Sequence, residues 1–331
     1  SFVSNGAPDE VAEVVWTAVQ NRWNAIADKV RDETEILIQG GEWVSLFNRQ
    51  KQGWIEFYWV ATPHDESRHG DSLRNANAAL AQRKLFRHLP QVFEPGQKCT
   101  LTGSQQALNF DWMKLKAALG DTKDITFRPN ERLGTVAYVK RMAQRMKSDL
   151  GVNLVRPPST RYIAGLSDDK SSEDDPPGTR QEGYIAVLHM DGDHMGRTLS
   201  ALESIAEHQE FSRKLSHFAD EIVPKTVEKY GGIRNRSQLI YAGGDDVLAL
   251  FPLALRPEEL DNESKNRREG DPFIPSLHCA RELRAQFEAL TGCTASAGVA
   301  ITPYDFPLDV ALQMARDAEH IAKNEYGRDA I

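Results

Sequence analysis

The segment Ser237-Gln-Leu-Ile-Tyr-Ala-Gly-Gly-Asp-Asp-Val-Leu-Ala-Leu-Phe-Pro252 sets two apolar runs, 239–242 and 247–251, on either side of Gly-Gly-Asp-Asp. Two such runs broken by turn-forming residues predict a buried hairpin, with Gly243 and Gly244 permitting a tight turn and Asp245 and Asp246 carried at its tip. Adjacent carboxylates, both ionised near neutral pH, repel each other unless a cation or hydrogen-bond donors compensate them. Glycine and aspartate are also what a plain solvated turn prefers, so the tetrad alone leaves an ordinary turn and a metal site both open.

A second acidic site lies upstream, in Tyr184-Ile-Ala-Val-Leu-His-Met-Asp-Gly-Asp-His-Met-Gly196. Seven mostly apolar residues without alternation predict a central strand buried on both faces, ending in Asp191-Gly192-Asp193. If that strand neighbours the hairpin, Asp191, Asp193, Asp245 and Asp246 converge on one edge of a sheet. Such an oxygen-rich set suits Mg²⁺ or Mn²⁺, which take a few carboxylates together with substrate phosphates and waters. Two such ions roughly 3.5–4 Å apart can activate an attacking hydroxyl and stabilise leaving pyrophosphate, which is the chemistry of a palm-type nucleotidyltransferase. The main chain of Gly192, Gly243 and Gly244 is expected to approach phosphates. His194, just past the acidic turn, reads as a polar helix-start residue.

The chain has 331 residues, 40% of them hydrophobic, enough for two globular domains. Its 40 basic and 48 acidic residues give a net charge of −8, which argues against nucleic acid wrapped over the whole surface but leaves room for a local basic groove. Three cysteines, Cys99, Cys279 and Cys293, show no paired spacing, as expected of a reducing, cytoplasmic setting. No run approaches the ~20 apolar residues of a membrane span, and no signal peptide is visible. Ser1 in place of a methionine and the abrupt end at Ile331 predict a fragment.

Helical spacing is expected over Asp9–Val30, Ser72–Leu89 and Glu131–Leu150, and a strand over Trp54–Val60. The acidic, Pro/Gly/Ser-rich stretch Ser167–Gly183 reads as a loop, and Arg256–Asp271 as a charged surface segment. From Tyr184 the expected order is strand, helices to Tyr230, hairpin, helix Ile274–Leu290, strand Thr294–Ile301, helix Leu308–Tyr326, and the start of a strand at Asp329–Ile331. That order describes an α+β, ferredoxin-like palm with helices on one face of an antiparallel sheet.

Together Met190-Asp-Gly-Asp-His-Met-Gly196 and Tyr241-Ala-Gly-Gly-Asp-Asp246 resemble the large subunit of type III CRISPR effector complexes, the Cas-ten family, in its Cmr branch. Glu131-Arg-Leu-Gly-Thr-Val-Ala-Tyr-Val-Lys-Arg141 and Arg156-Pro-Pro-Ser-Thr-Arg-Tyr-Ile-Ala164 match it outside the acidic site. The palm is also similar to diguanylate cyclases of the GGDEF class, through Thr294-Ala-Ser-Ala-Gly-Val-Ala300 and Ala322-Lys-Asn-Glu-Tyr-Gly-Arg328. The aromatic fifth position of that class's motif is missing, since Val247 follows Asp246, and no Arg-x-x-Asp precedes the hairpin.

The resemblance implies a subunit that polymerises ATP into cyclic oligoadenylate when the assembled ribonucleoprotein binds target RNA. Asp191, Asp245 and Asp246 are then the catalytic carboxylates and, with Asp193, the metal ligands. Gly192, Gly243, Gly244, Ser296 and Lys323 contact nucleotide, and Lys323, with Arg328, neutralises triphosphate charge. The expected domains are a helical segment over 1–41, an inactive palm over 42–150, a linker over 151–183 and the catalytic palm over 184–331, two ferredoxin-like palms with helical connections. Partners are the other complex subunits, crRNA and target RNA, with no membrane. His64-Asp65 stands in a polar loop rather than an HD nuclease, and Cys99-Thr-Leu-Thr-Gly103 lacks the second cysteine of a zinc knuckle. The rival readings are a stand-alone diguanylate-type cyclase and a silent structural subunit.

Overall fold

Pro8 in the first turn, with Asp9 and Glu10 behind it, opens helix α1 (Pro8–Leu37), where a fixed φ and acidic side chains suit a helix N-terminus. The structure, a computed structural model, describes residues 3–39, 41–86, 94–120, 127, 130–146, 157–168, 182–256, 259 and 273–331. The chain divides into two units, residues 1–64 with 72–156, and residues 65–71 with 157–331.

In the first unit, α1, α2 (Trp43–Gln52), α4 (Trp112–Leu119) and α5 (Thr135–Ala143) enclose a core that includes Ala27, Val30, Phe47, Leu115, Leu133 and Tyr138. The Tyr138 hydroxyl, which burial pushes well above its usual pKa, is paired with the Thr34 hydroxyl at 2.8 Å. Helix α3 spans His69–Leu85, against the expected Ser72–Leu89, of which 87–89 lie outside the described residues. The helix expected over Glu131–Leu150 is confined to α5 among the described residues: Glu131 stays outside it and pairs with Arg141 at 2.8 Å, and 147–150 are not described.

Trp54–Val60 is not a strand. Its aromatic rings are taken up by α1 instead, Trp54 lying 4.5 Å from Trp23 and Phe57 stacking on Trp16 at 5.3 Å. Among the described residues of 42–150 there is no strand, and the sheet-like contact is one isolated bridge between Lys98 and Gln106. Most of the expected loop Ser167–Gly183 and of the segment Arg256–Asp271 lies outside the described residues.

The second unit is a mixed α/β palm. Strands β1 (Tyr184–Gly192), β2 (Gln238–Gly243), β3 (Asp246–Pro252) and β4 (Ala295–Pro303) form an antiparallel sheet in the order β2-β3-β1-β4. Ala186, Leu188 and Met190 of β1 join one buried apolar cluster and Ile185 and Val187 another, because alternate residues point to opposite faces. On the first face a π-helical turn (Phe218–Ile222), α9 (Val223–Lys229) and α10 (Pro275–Thr291) bring Phe218, Val223, Leu283 and Phe287 onto Val247, Ala249 and Phe251. On the second, α11 (Leu308–Asn324) brings Ala311 and Ala315 onto Ile185, Val187 and Ala300.

Helices therefore cover both faces, which corrects the expected one-sided arrangement. The double burial expected of β1 requires it: a strand apolar on both sides leaves neither face to water. Close docking of α11 depends on Gly298, where an added Cβ would sit 2.2 Å from the Ala315 carbonyl oxygen and the Glu319 nitrogen. Helix α6 (Thr160–Ile163) precedes β1, and between β1 and the hairpin run α7 (Met195–Ala201) and α8 (Ile205–His217), the latter started by a Ser204/Glu207 capping box, ahead of the π-helical turn and α9. The strand expected at Asp329–Ile331 is instead a single backbone bond on the β4 edge, from the Ala297 N–H to the Ala330 carbonyl at 2.8 Å.

Candidate functional site

Pairing of Gly243 with Asp246 closes the hairpin and leaves Gly244 and Asp245 as its two-residue loop. Gly244 has φ +80°, the left-handed region, and Asp245 does not, the pattern of a turn with glycine at its first position. Met190 of β1 pairs with Val247, the residue after Asp246, while Asp191 pairs with Ser296 on the other side. The register thus brings Asp191, Asp245 and Asp246 to one end of the sheet. Gly192 makes room for them: a Cβ there would lie 2.9 Å from the Asp245 Cβ and 3.0 Å from its Oδ2.

Burial, then the charges of Asp191 and Asp246, push the Asp245 carboxyl above its usual pKa, against the opposing effects of its own backbone N–H and of Lys323. Lys323, in the last turn of α11, donates to the Asp191 carboxylate, lies 2.8 Å from Glu319 Oε1 and reaches the Gly192 carbonyl at 3.4 Å. Burial works against its charge, but the hydrogen bonds to Asp191 and Glu319 outweigh it and hold the ammonium above its usual pKa.

Two further residues join this edge from beneath. His189 Nε2 is 3.3 Å from Asp246 Oδ1, and its Nδ1 is 3.9 Å from Glu319 Oε2. Neither was among the expected site residues. Their signals were a polar residue interrupting the apolar run 184–190, and a glutamate four residues before Lys323 on one helix.

Asp193 and Ser296 are placed differently from the expectation for them. Asp193 is 2% exposed, and its carboxylate accepts from Thr294 Oγ1 at 2.8 Å, Ser296 Oγ at 2.9 Å and the Asp329 N–H at 3.1 Å. Arg328, expected near phosphate, approaches it at 3.5 Å. Burial alone would raise the Asp193 pKa; these hydrogen bonds and the Lys323 charge outweigh it and hold the carboxyl low. A buried carboxylate is tolerated when donors saturate it, so Asp193 here braces the turn after β1 to β4. Ser296 is wholly buried and spends its hydroxyl on Asp193. Gly192 is buried against Asp245 and Met195, whereas Gly243 is exposed at the hairpin. His194, exposed at φ 56°, starts α7 without a side-chain cap.

As a donor set, three carboxylates suit a hard divalent cation. Asp246 Oδ1 is buried without an aligned hydrogen bond and is a spare acceptor at this edge. No three acidic, histidine or cysteine side chains among the described residues are spaced as a ready-made cage. A Mg²⁺ ion held by one or two carboxylates plus substrate phosphates needs none, so the residues fit the ion in kind. Among the described residues no helix is long and apolar enough to cross a membrane.

Residues 184–331 match the family described as Cas10/Cmr2, second palm domain. A curated relative, the CRISPR system Cmr subunit Cmr2 of Pyrococcus furiosus, is 32% identical over 176 residues, covering 45% of this chain and 18% of the relative. The chain thus spans less than a fifth of that protein's length. The solved structure of the apo Csm1-Csm4 cassette is similar with a TM-score of 0.41, at 14% identity over 80% of this chain and 38% of that one. The Csm1-Csm4 cassette in complex with AMPPNP is similar with a TM-score of 0.36, at 18% identity over 51% of this chain and 22% of that one. Residues 184–331, the segment that carries the acidic edge, are thus similar to the second palm domain of the Cas10/Cmr2 family.

Proposed function

We propose that residues 184–331 join ATP molecules into cyclic oligoadenylate, releasing pyrophosphate, within an RNA-guided type III CRISPR complex that target RNA activates. The observation that carries this reading is the convergence of Asp191, Asp245 and Asp246 at one sheet edge beside the Lys323 ammonium. Asp191 and Asp245 are the principal metal ligands and Asp246 the supporting one. Mg²⁺ or Mn²⁺ bound there supplies neutralisation of triphosphate charge and activation of the attacking 3′-hydroxyl. Lys323 adds a fixed positive charge on the phosphate side.

Partners under this proposal are the other subunits of the complex, crRNA and target RNA.

The deciding experiment supplies the purified assembly with ATP, Mg²⁺ or Mn²⁺ and matching target RNA and reads products by mass spectrometry. Oligoadenylates are expected, and are expected to vanish in Asp245→Ala plus Asp246→Ala. Product that survives the double substitution overturns the assignment. Turnover of GTP in place of ATP identifies a diguanylate-type cyclase, and ATP binding without turnover under full activation identifies a silent structural subunit.

A further inference from the structure

Three polar side chains lie in series at this edge, Asp246 of β3, His189 of β1 and Glu319 of α11, and His189 Nδ1 and Asp246 Oδ1 are buried without an aligned hydrogen bond. Their neighbours are nonetheless close, at 3.9 Å from His189 Nδ1 to Glu319, 3.3 Å from Asp246 Oδ1 to His189, and 2.8 Å from Glu319 Oε1 to Lys323. With the Lys323–Asp191 contact the series runs from one acid of the edge to the other, Asp246, His189, Glu319, Lys323, Asp191. Glu319 is 7% exposed, and a carboxylate that deeply buried is costly unless a fixed cation answers it.

Its place is set by sequence and by packing together. Glu319 precedes Lys323 by one helical turn, which puts the two on the same face. Gly298, the cross-strand partner of His189, has no side chain, so the α11 backbone at Glu319 rests directly on the sheet. A lysine has a flexible four-carbon stem, and an ammonium anchored at one point sweeps a wide volume. Anchored by Glu319 as well as Asp191, it is fixed over the Gly192 carbonyl, whose 3.4 Å contact is the weakest of the three and the one a phosphate oxygen would replace.

We infer that Glu319, steadied by His189, is a positioning residue that fixes the Lys323 ammonium for the substrate's phosphates. The inference rests on the nucleotidyl-transfer reading for its catalytic consequence, though not for its structural one. Glu319→Gln keeps the shape and removes the anchoring charge; Glu319→Asp keeps the charge on a shorter stem.

Lysine acylation of the full chain, quantified by mass spectrometry, reads the anchoring directly. In Glu319→Gln the Lys323 labelling rate is expected to rise several-fold, partly reversed in Glu319→Asp, and to stay unchanged in the exposed control Glu210→Gln, whose ion pair with Arg213 lies on α8. In the assembled complex, Glu319→Gln is expected to raise the KM for ATP about tenfold with kcat changed much less, the signature of a lost charged contact made equally in ground and transition states. Unchanged Lys323 labelling in Glu319→Gln overturns the inference, as does a lower melting temperature with labelling and KM unmoved. If the wild-type complex neither binds nor turns over ATP, the functional proposal fails while the labelling still decides the positioning role.

Discussion

At the scale of single residues, four acids with similar sequence context end in two different physical states. Asp191, Asp245 and Asp246 crowd one another, and Asp245 responds with a raised pKa. Asp193, two residues from Asp191, is saturated by hydroxyls and a backbone N–H and responds with a lowered one. The Asp-Gly-Asp spelling cannot separate these outcomes, because the donors that claim Asp193 come from Thr294, Ser296 and Asp329, more than a hundred residues away. Gly192, expected to approach phosphate, instead has Asp245 and Met195 in the space a side chain would fill. Gly192→Ala would place a methyl 2.9 Å from the Asp245 Cβ. The carboxylate must then shift, and a displacement on the order of 1 Å at a reacting centre costs about 10²-fold in rate. Oligoadenylate synthesis by the Gly192→Ala complex, measured beside its melting temperature, checks this: the expected result is a large loss of rate with a fold that persists.

At the scale of elements, apolar period located every strand of the sheet and the long helices α10 and α11, because those segments bury regular faces. It misread Trp54–Val60, whose aromatic and β-branched residues suit a strand but whose rings pack on α1. Strand propensity measures fit to a half-buried surface, and here a helix provides that surface. Gly298 is the position on which the sheet–helix layer turns. Gly298→Ala sets a methyl against α11 backbone rather than a movable side chain, and overpacking of this kind costs about 1–3 kcal/mol. A lowered midpoint in urea unfolding, together with weaker ATP binding through displaced Lys323, is the expected outcome.

On the other face, Glu282 of α10 accepts from Lys229 Nζ at 2.8 Å and the Tyr230 hydroxyl at 2.7 Å. Burial alone would raise its carboxyl, but these bonds outweigh it and bring the pKa below the usual 4.5. A folded-state pKa below the unfolded one means that the unfolded chain binds more protons in that window, so this contribution is present above pH 4.5 and is lost as pH falls through the folded-state value. Thermal unfolding of Glu282→Gln should therefore show a melting temperature below wild type at pH 7, with the gap closing as the solution is acidified below pH 4.5.

At the scale of the whole molecule, the two units hold separate apolar cores that different spectroscopic signals report. All six tryptophans, Trp16, Trp23, Trp43, Trp54, Trp59 and Trp112, fall in the first unit, while the whole sheet falls in the second. Leu115→Ala and Leu283→Ala each truncate a fully buried leucine, a change that costs about 2–5 kcal/mol. In denaturant titrations Leu115→Ala is expected to shift the tryptophan-fluorescence transition, and Leu283→Ala the sheet signal in circular dichroism. Equal shifts of both probes by both variants would show that the cores unfold as one. The sequence by itself determined the palm: the strand buried on both faces, the Gly-Gly-Asp-Asp hairpin and the helix bearing Lys323 are written in local patterns of apolar residues, glycine and charge. Which acids share the edge, which one is saturated, and that His189 and Glu319 stand beneath them were decided by the tertiary structure. Strand register and the docking of α11 on Gly298 set distances between residues far apart in the chain, and no local pattern encodes those distances.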